Sequence, residues 1–272
     1  MKLAAIYTLF NGTELLDRSV DQIKDQVDLI ILGTQEISNA GNEMSLNDAQ
    51  NIHSVEGSLL ESGHEVILQT YKPDLVYKDR KENERRKLQR LLETARTLGA
   101  THWILLAADH FYDPKEFAIA KGKIETDLHS FDVTYTEMIT YYKKPTWRLT
   151  KKEDYFFPFI CKLTDKTHVV RGNHYPVRMD PSVRVSPAET FVHLEEKMII
   201  LHHFTMIRKD ILNKFNNAAA AQNWGKGKVE NYFREFQDYD IKDNPGVSYF
   251  GGITVEETVD NFGLESLDLR GY

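Results

Sequence analysis

The chain has 272 residues, 41% of them hydrophobic and 28% charged, with a formal net charge of −7. That is the composition of a soluble globular protein long enough for one sizeable core, and it excludes collagen-like, disordered and membrane-spanning classes. No apolar run approaches the ~20 residues of a membrane helix, LAAIYTLF near the start is too short and lacks the cleavage site of a secretory signal, and the lone Cys161 excludes a disulfide framework and a cysteine zinc site. A cytoplasmic location is expected, the host cytoplasm if the chain is viral.

KLAAIYTLF (2–10) predicts an opening strand, and NGT (11–13) a turn with Thr13 placed to cap a helix over ELLDRSVDQIKDQ. DLIIL (28–32) reads as a second strand ended by Gly33, and HEVILQT (64–70) as a third. Over 82–98, Leu88, Leu91, Leu92, Ala95 and Leu98 form a helical stripe, opposite a face carrying Glu84, Arg85, Arg86 and Arg90, with Gly99 as the cap. HWILLA (102–107) returns as a buried parallel strand, and DPKEF (113–117) starts a helix with Pro114 in its first position. Strands alternating with helices predict a mostly parallel sheet covered on both faces.

After residue 125 the pattern changes. FDVTYTEMITYY (131–142) predicts one longer, antiparallel strand, and 143–195, punctuated by five prolines, predicts loops with short strands. KMIILHHF (197–204) reads as a strand, IRKDILNKF (207–215) as a helix, and NNAAAAQN (216–223) as its continuation. The whole is expected to be one domain, 1–272, with a first half over 1–125 and a second over 126–272.

Ligands of open α/β sheets bind beyond the carboxyl ends of the strands. Three loops fall there: TLFNGTE (8–14), LGTQEISNAGN (32–42) and AADHFYD (107–113). Asp109 and His110 follow a strand that offers no partner for a charge, and an unpaired buried carboxylate costs several kcal/mol. Asp109 is therefore expected to face a cleft, a cation or an arginine, whereas Asp113 caps the next helix. His202 and His203 end another apolar strand, where successive side chains point to opposite faces, so one of the two reaches a site. A carboxylate with imidazoles suits Mn²⁺ or Zn²⁺.

Residues 141–184 hold ten Lys or Arg and four acids, a local +6 in a chain whose remainder is −13. Basic residues there alternate with Tyr141, Tyr142, Trp147, Tyr155 and Phe156, a mixture that suits either stacking with phosphate contacts or an aromatic core flanked by solvated lysines. Asp180, between Arg178 and Arg184, is a general-base candidate or a salt-bridged loop residue.

The order strand, helix, strand, then an Arg-rich helix and GATHWILLAADHFYDP, resembles the nucleotide-sugar-binding half of family-2-like glycosyltransferases with the GT-A fold. LLAADHFYDP matches the family's strand, the second Asp of its D-x-D motif (Asp109), the aromatic pair and the Asp-Pro, and ILHHFTMIRKDILNKF is similar to the late segment that closes over the donor diphosphate. The first acid of D-x-D is replaced by Ala107, the following acid by His110, and the second loop reads GTQEIS instead of an Asp-rich sequence.

The resemblance implies an α/β, Rossmann-like GT-A domain with a C-terminal acceptor-side elaboration. It implies transfer of a sugar from a nucleotide-sugar donor, a UDP-sugar first, to an acceptor hydroxyl with a divalent metal, Mn²⁺ or Mg²⁺. The implied metal ligands are Asp109 with His203 or His202, and His110. Donor contacts fall to Thr8, Phe10, Asn11, Glu14, Thr34, Gln35, Arg86, Ala108, Asp109 and Arg208, with Lys209 beside it. Glu137, Asp180 and Glu189 are candidate bases for an inverting reaction. The +6 segment implies an anionic acceptor met by Tyr142, Lys144, Trp147, Arg148 and Arg178: hydroxymethylated viral DNA, or else a glycan or phosphorylated lipid. Two other classes compete, a metal-dependent phosphoesterase and a non-catalytic nucleotide- or sugar-binding module.

Overall fold

The computed structural model describes residues 1–77, 79–127, 131–172, 174–243 and 245–267. In chain order the strands are β1 (Leu3–Thr8), β2 (Leu29–Thr34), β3 (Val66–Thr70), β4 (His102–Leu106), β5 (His110–Phe111), β6 (Val133–Thr136), β7 (Met138–Tyr142), β8 (Trp147–Leu149), β9 (Phe157–Lys162), β10 (His168–Val169), β11 (Val185–Ser186), β12 (Phe191–Leu194), β13 (Leu201–Met206) and β14 (Val255–Glu257). The helices are α1 (Leu16–Ile23), α2 (Leu46–Glu61), α3 (Arg80–Thr97), α4 (Pro114–Asp127), α5 (Ile211–Asn217) and α6 (Lys228–Asp238).

Seven strands form the central sheet in the order β12-β6-β9-β4-β1-β2-β3. β1 pairs in parallel with β2 and β4, and β2 with β3; β9 alone runs antiparallel to its neighbours β4 and β6. Both faces are covered, which is why β1 reads as an unbroken apolar run: Leu3, Ala5 and Tyr7 join the core that includes α1, α2 and α4 residues, while Ala4 and Ile6 join the core under α3. This is the mostly parallel α/β architecture expected. A second sheet, β14-β8-β7-β13-β5, carries the C-terminal half, and a third core of Tyr142, Trp147, Met206, Phe215, Phe236 and Tyr239 sits between it and helices α5 and α6. Among the described residues no helix is long and apolar enough to cross a membrane.

Several local expectations hold for the physical reasons given. Asp113 Oδ1 accepts from the backbone N–H groups of Lys115 and Glu116 at the start of α4, and the stripe of α3 is buried at Leu88, Leu91, Leu92 and Ala95.

Others are corrected. Thr13 does not cap α1; its hydroxyl donates to Asp48 Oδ1 at 2.7 Å, tying the β1–α1 loop to α2. β2 runs through Gly33 to Thr34 instead of ending there, and the glycine serves packing: a Cβ at position 33 would lie 2.5 Å from the Leu91 side chain of α3. Arg85 is buried rather than solvated, held by Asp79 and Glu82. FDVTYTEMITYY is two strands instead of one: β6 belongs to the central sheet and β7 to the second, and the chain changes sheets at Glu137. β13 starts only at Leu201, α5 starts at Ile211 behind an Asp210 cap, and residues 219–223 form a 3₁₀ turn instead of continuing the helix.

Candidate active site between the two sheets

β4 lies in the central sheet and β5 in the second, and only residues 107–109 separate them. The Ala107 carbonyl accepts from the His110 N–H at 3.1 Å, so this link is a tight turn, and Ser19 of α1 clamps it by donating to the His110 carbonyl at 2.7 Å. Asp109 is thereby set at the carboxyl end of the parallel sheet, 7% exposed.

Strand register supplies its neighbours. His203 of β13 lies opposite His110 of β5 and Thr140 of β7. Asp109 Oδ1 stands 3.9 Å from His110 Nε2 and 4.0 Å from His203 Nε2. Its other oxygen, Oδ2, accepts from Arg208 Nη2 at 2.6 Å. Gly12, at φ 79°, passes so close to that guanidinium that a Cβ there would collide with Nη1. Glu153 Oε1 accepts from Thr140 and lies 3.9 Å from His203 Nδ1, and Lys214 donates to Thr205 beside them.

The electrostatics follow from this packing. Burial pushes Asp109 up, but the positive charge available on His203, Arg208, His110 and Lys214 outweighs it and holds the carboxyl well below the usual range. His110 falls to about 3, through burial first and His203 second. Lys214 falls to about 7, through burial and then Arg208, with Asp109 and Glu153 opposing. Glu153 is lowered: burial would raise it, and His203 and Thr140 more than compensate.

Asp109, His110 and His203 each offer one donor atom, all within 4.8 Å of one another. Donors around an ion at ~2.1 Å stand about 3.0–3.4 Å apart, so a cation would draw them inward by less than 1 Å or so. Two neutral imidazoles and one carboxylate oxygen suit Mn²⁺, Zn²⁺ or another transition cation better than Mg²⁺, which prefers all-oxygen shells. Nδ1 of both histidines has no hydrogen-bond partner among the described residues, and a metal-bound imidazole ordinarily donates its far N–H to a carboxylate; Glu153 stands where it would serve His203. The residues therefore fit a divalent transition cation.

The expected site residues divide. Asp109, His110, His203 and Arg208 come together, with Ala108 buried beside them. His202 does not: the alternation of β13 turns it to the other face, where its Nδ1 lies 2.8 Å from the Tyr141 hydroxyl. Thr8 ends β1 half-buried, near Phe10. Asn11 and Glu14 line a polar cavity next to Arg208. Thr34 and Gln35 are buried, and Gln35 Oε1 accepts from Lys87 Nζ at 2.6 Å. Arg86 is exposed, 4.5 Å over the Tyr77 ring, and bonded to Glu82.

None of the three proposed bases reaches the cluster by any described contact. Glu137 is paired with Lys152 at 2.8 Å, Asp180 with Lys81 at 2.8 Å, and Glu189 is exposed. Glu153 and Lys214 were missed, because only the packing of β7, β13 and α5 brings them in. The expected acceptor residues are placed as follows. Tyr142 and Trp147 are core residues, 1% and 8% exposed, packed edge-on against Tyr239. Arg148 pairs with Glu256, and Lys144 and Arg178 lie over Trp147 and Tyr155.

Part of the +6 segment is engaged within the protein. Lys162 pairs across from His102, at the end of β4 opposite Asp109, and Lys143, Lys152, Arg171 and Arg184 are all bonded within the protein.

No family model matches the chain, and no curated protein matches it. Solved structures similar to it include S. aureus TarS 1–349, at 9% identity over 88% of this chain and 71% of that one, TM-score 0.47. The inositol-1-phosphate CTP transferase from T. maritima is 9% identical over 86% of this chain and 96% of that one, TM-score 0.37. Glucosyl-3-phosphoglycerate synthase from Mycobacterium tuberculosis, solved with Mg²⁺ and UDP, is 11% identical over 50% of this chain and 43% of that one, TM-score 0.33. This chain spans 37% of the TarS chain solved with UDP.

Proposed function

We propose that the protein is a glycosyltransferase that takes its sugar from a nucleotide-sugar donor, a UDP-sugar first, at the centre around Asp109. The observation that carries this reading is the position of Asp109. It is a buried, ionised carboxylate at the carboxyl end of a parallel sheet, met from the C-terminal half by His203 and Arg208. Such an arrangement gathers charge where a donor diphosphate would lie.

Asp109, His110 and His203 would hold a divalent cation, Mn²⁺ in preference to Mg²⁺, which when bound neutralises charge developing on the leaving diphosphate. Arg208 orients Asp109 and adds positive charge at the same edge, and Glu153 orients His203. The acceptor is best read as a glycan hydroxyl. Arg148, Lys152 and Arg171 of the 143–184 segment are paired with Glu256, Glu137 and Glu82, which leaves less free positive charge there for hydroxymethylated DNA or a phosphorylated lipid. A two-metal phosphoesterase would need further carboxylates, and Asp109 and Glu153 are the only ones the described contacts bring to the cluster.

The test is release of UDP from a panel of UDP-sugars with and without Mn²⁺. Turnover that requires Mn²⁺ and is lost in His203→Ala supports the reading; metal-dependent cleavage of simple phosphate esters without UDP-sugar turnover removes it. Absence of any electrophoretic shift of hydroxymethylated DNA at low salt is expected.

A further inference from the structure

β3 is the last strand at one edge of the central sheet, where it pairs with β2. The Glu65 carbonyl accepts from the Ile30 N–H, and the Tyr71 N–H donates to the Thr34 carbonyl. Backbone groups alternate in direction along a strand, so residues 65, 67, 69 and 71 turn theirs to β2. Val66, Leu68 and Thr70 turn theirs outward, where no strand lies alongside among the described residues.

Free edges are ordinarily short, charged or broken by a proline or a bulge, because bare ones recruit other strands. β5, β14 and β12 keep their edges short, with two, three and four residues. β3 departs from that rule: its five residues, VILQT, contain no charge and no proline, and they run in unbroken register along β2. Apolar side chains are left half-covered on both faces of the sheet here, Leu68 on one and Ile67 with Leu98 of α3 on the other.

On the α3 face the edge borders a groove of about 440 Å³ between Ile67 and Gln69 and the helix residues Arg90, Glu93, Thr94 and Thr97. Arg90 lies over Tyr71, while the Leu98 carbonyl shares Lys2 with Glu65. α3 therefore runs antiparallel to β3, and its Arg90–Glu93 turn passes near the middle of the strand. Arg90 and Glu93 are both exposed and carry opposite charges one helical turn apart. A contact between identical surfaces about a two-fold axis is reciprocal, so it brings Arg90 of each copy toward Glu93 of the other. That reciprocity singles out a second copy as the occupant of the edge.

We infer that two copies of this chain associate through β3, antiparallel about a two-fold axis at Leu68, so that the central sheet continues from one copy into the other. Val66 then pairs with Thr70 of the second copy, both with outward amides, and Ile67 lies opposite Gln69. The inference is independent of the transferase reading, since Asp109 follows β4, three strands away from this edge.

Analytical ultracentrifugation and hydrogen exchange on the full chain test it. At micromolar concentration the mass should be twice the 31.5 kDa of one chain and should fall on dilution. The Val66, Leu68 and Thr70 amides should exchange more slowly in the dimer than in dilute monomer. Thr70→Pro removes an outward N–H at an exposed side chain and spares the bonds to β2, so it should give a monomer with unchanged circular dichroism. Arg90→Glu sets like charges across the axis and should weaken association by about tenfold or more. Arg90→Glu/Glu93→Arg restores opposite charges and should restore the dimer, a result that decides the matter even if Thr70→Pro fails to fold. A chain that stays monomeric throughout, whether or not it binds a peptide copying residues 64–72, overturns the inference. So does a dimer whose three outward amides stay unprotected, or a charge swap that does not rescue.

Discussion

Arg208 Nη2 donates to Asp109 Oδ2 across 2.6 Å, joining the turn after β4 to the segment after β13, 99 positions later in the chain. The bond fastens the two sheets together at the candidate active site. Breaking a buried pair by removing one partner costs about 3–5 kcal/mol, most of it the uncompensated charge. Arg208→Met should therefore lower unfolding stability by about 3 kcal/mol in urea titrations. The double variant Asp109→Asn/Arg208→Met should lose clearly less than the sum of the two single changes; strict additivity would show that the pair is not energetically coupled.

The two adjacent histidines of β13 should behave oppositely. His203 faces Asp109, while His202 contacts Tyr141 on the far face. His203→Ala and His110→Ala should each weaken Mn²⁺ or Co²⁺ binding by roughly 10–100-fold, and His202→Ala should leave it within about twofold. Calorimetric titration of the three variants decides it.

His202 also makes a prediction about acid. Burial lowers it from 6.5 to about 4, so the folded state holds it neutral while the unfolded chain would protonate it. Below pH 6.5 the unfolded state binds the additional proton, and stability falls as pH drops from about 6.5 toward 4. The contribution at stake is at most roughly 3 kcal/mol. The urea midpoint should decline over that window, and His202→Gln should lessen the decline, leaving the part that His102 and His110, lowered by burial in the same way, supply.

Gly12 adopts a left-handed conformation directly against the Arg208 guanidinium. Gly12→Ala should cost about 1–2 kcal/mol of stability from its backbone alone, and it should also push Arg208 off Asp109. UDP-sugar turnover should fall by more than the loss of folded protein explains, as steady-state kinetics on the folded fraction will show.

What could be read from the sequence followed from local pattern. β1 and α3 announce themselves by an unbroken apolar run and a helical stripe, and Asp109 by standing as a charge at the end of an apolar strand. His202 and His203 were legible as a pair, but choosing between them required the register of β13 against β5. Glu153 and Lys214 carried no local signal, since one sits between β8 and β9 and the other within α5, and both reach the cluster only through tertiary packing. Tyr142 and Trp147 were open to either reading because core aromatics and stacking aromatics have the same composition; their packing against Tyr239 is a long-range fact. The two-strand break at Glu137 was hidden for a similar reason, as the alternation continues across it while the partner sheet changes.

In the proposed function Asp109 anchors the chemistry. The direct measurement is UDP release from UDP-sugars by the unaltered protein and by Asp109→Asn, each with Mn²⁺ and each shown to be folded. Removal of the one carboxylate in the metal-ligand set should reduce turnover by at least about 100-fold, with no recovery at higher Mn²⁺. Turnover retained within a few-fold in Asp109→Asn would contradict the account and place the reaction elsewhere in the molecule.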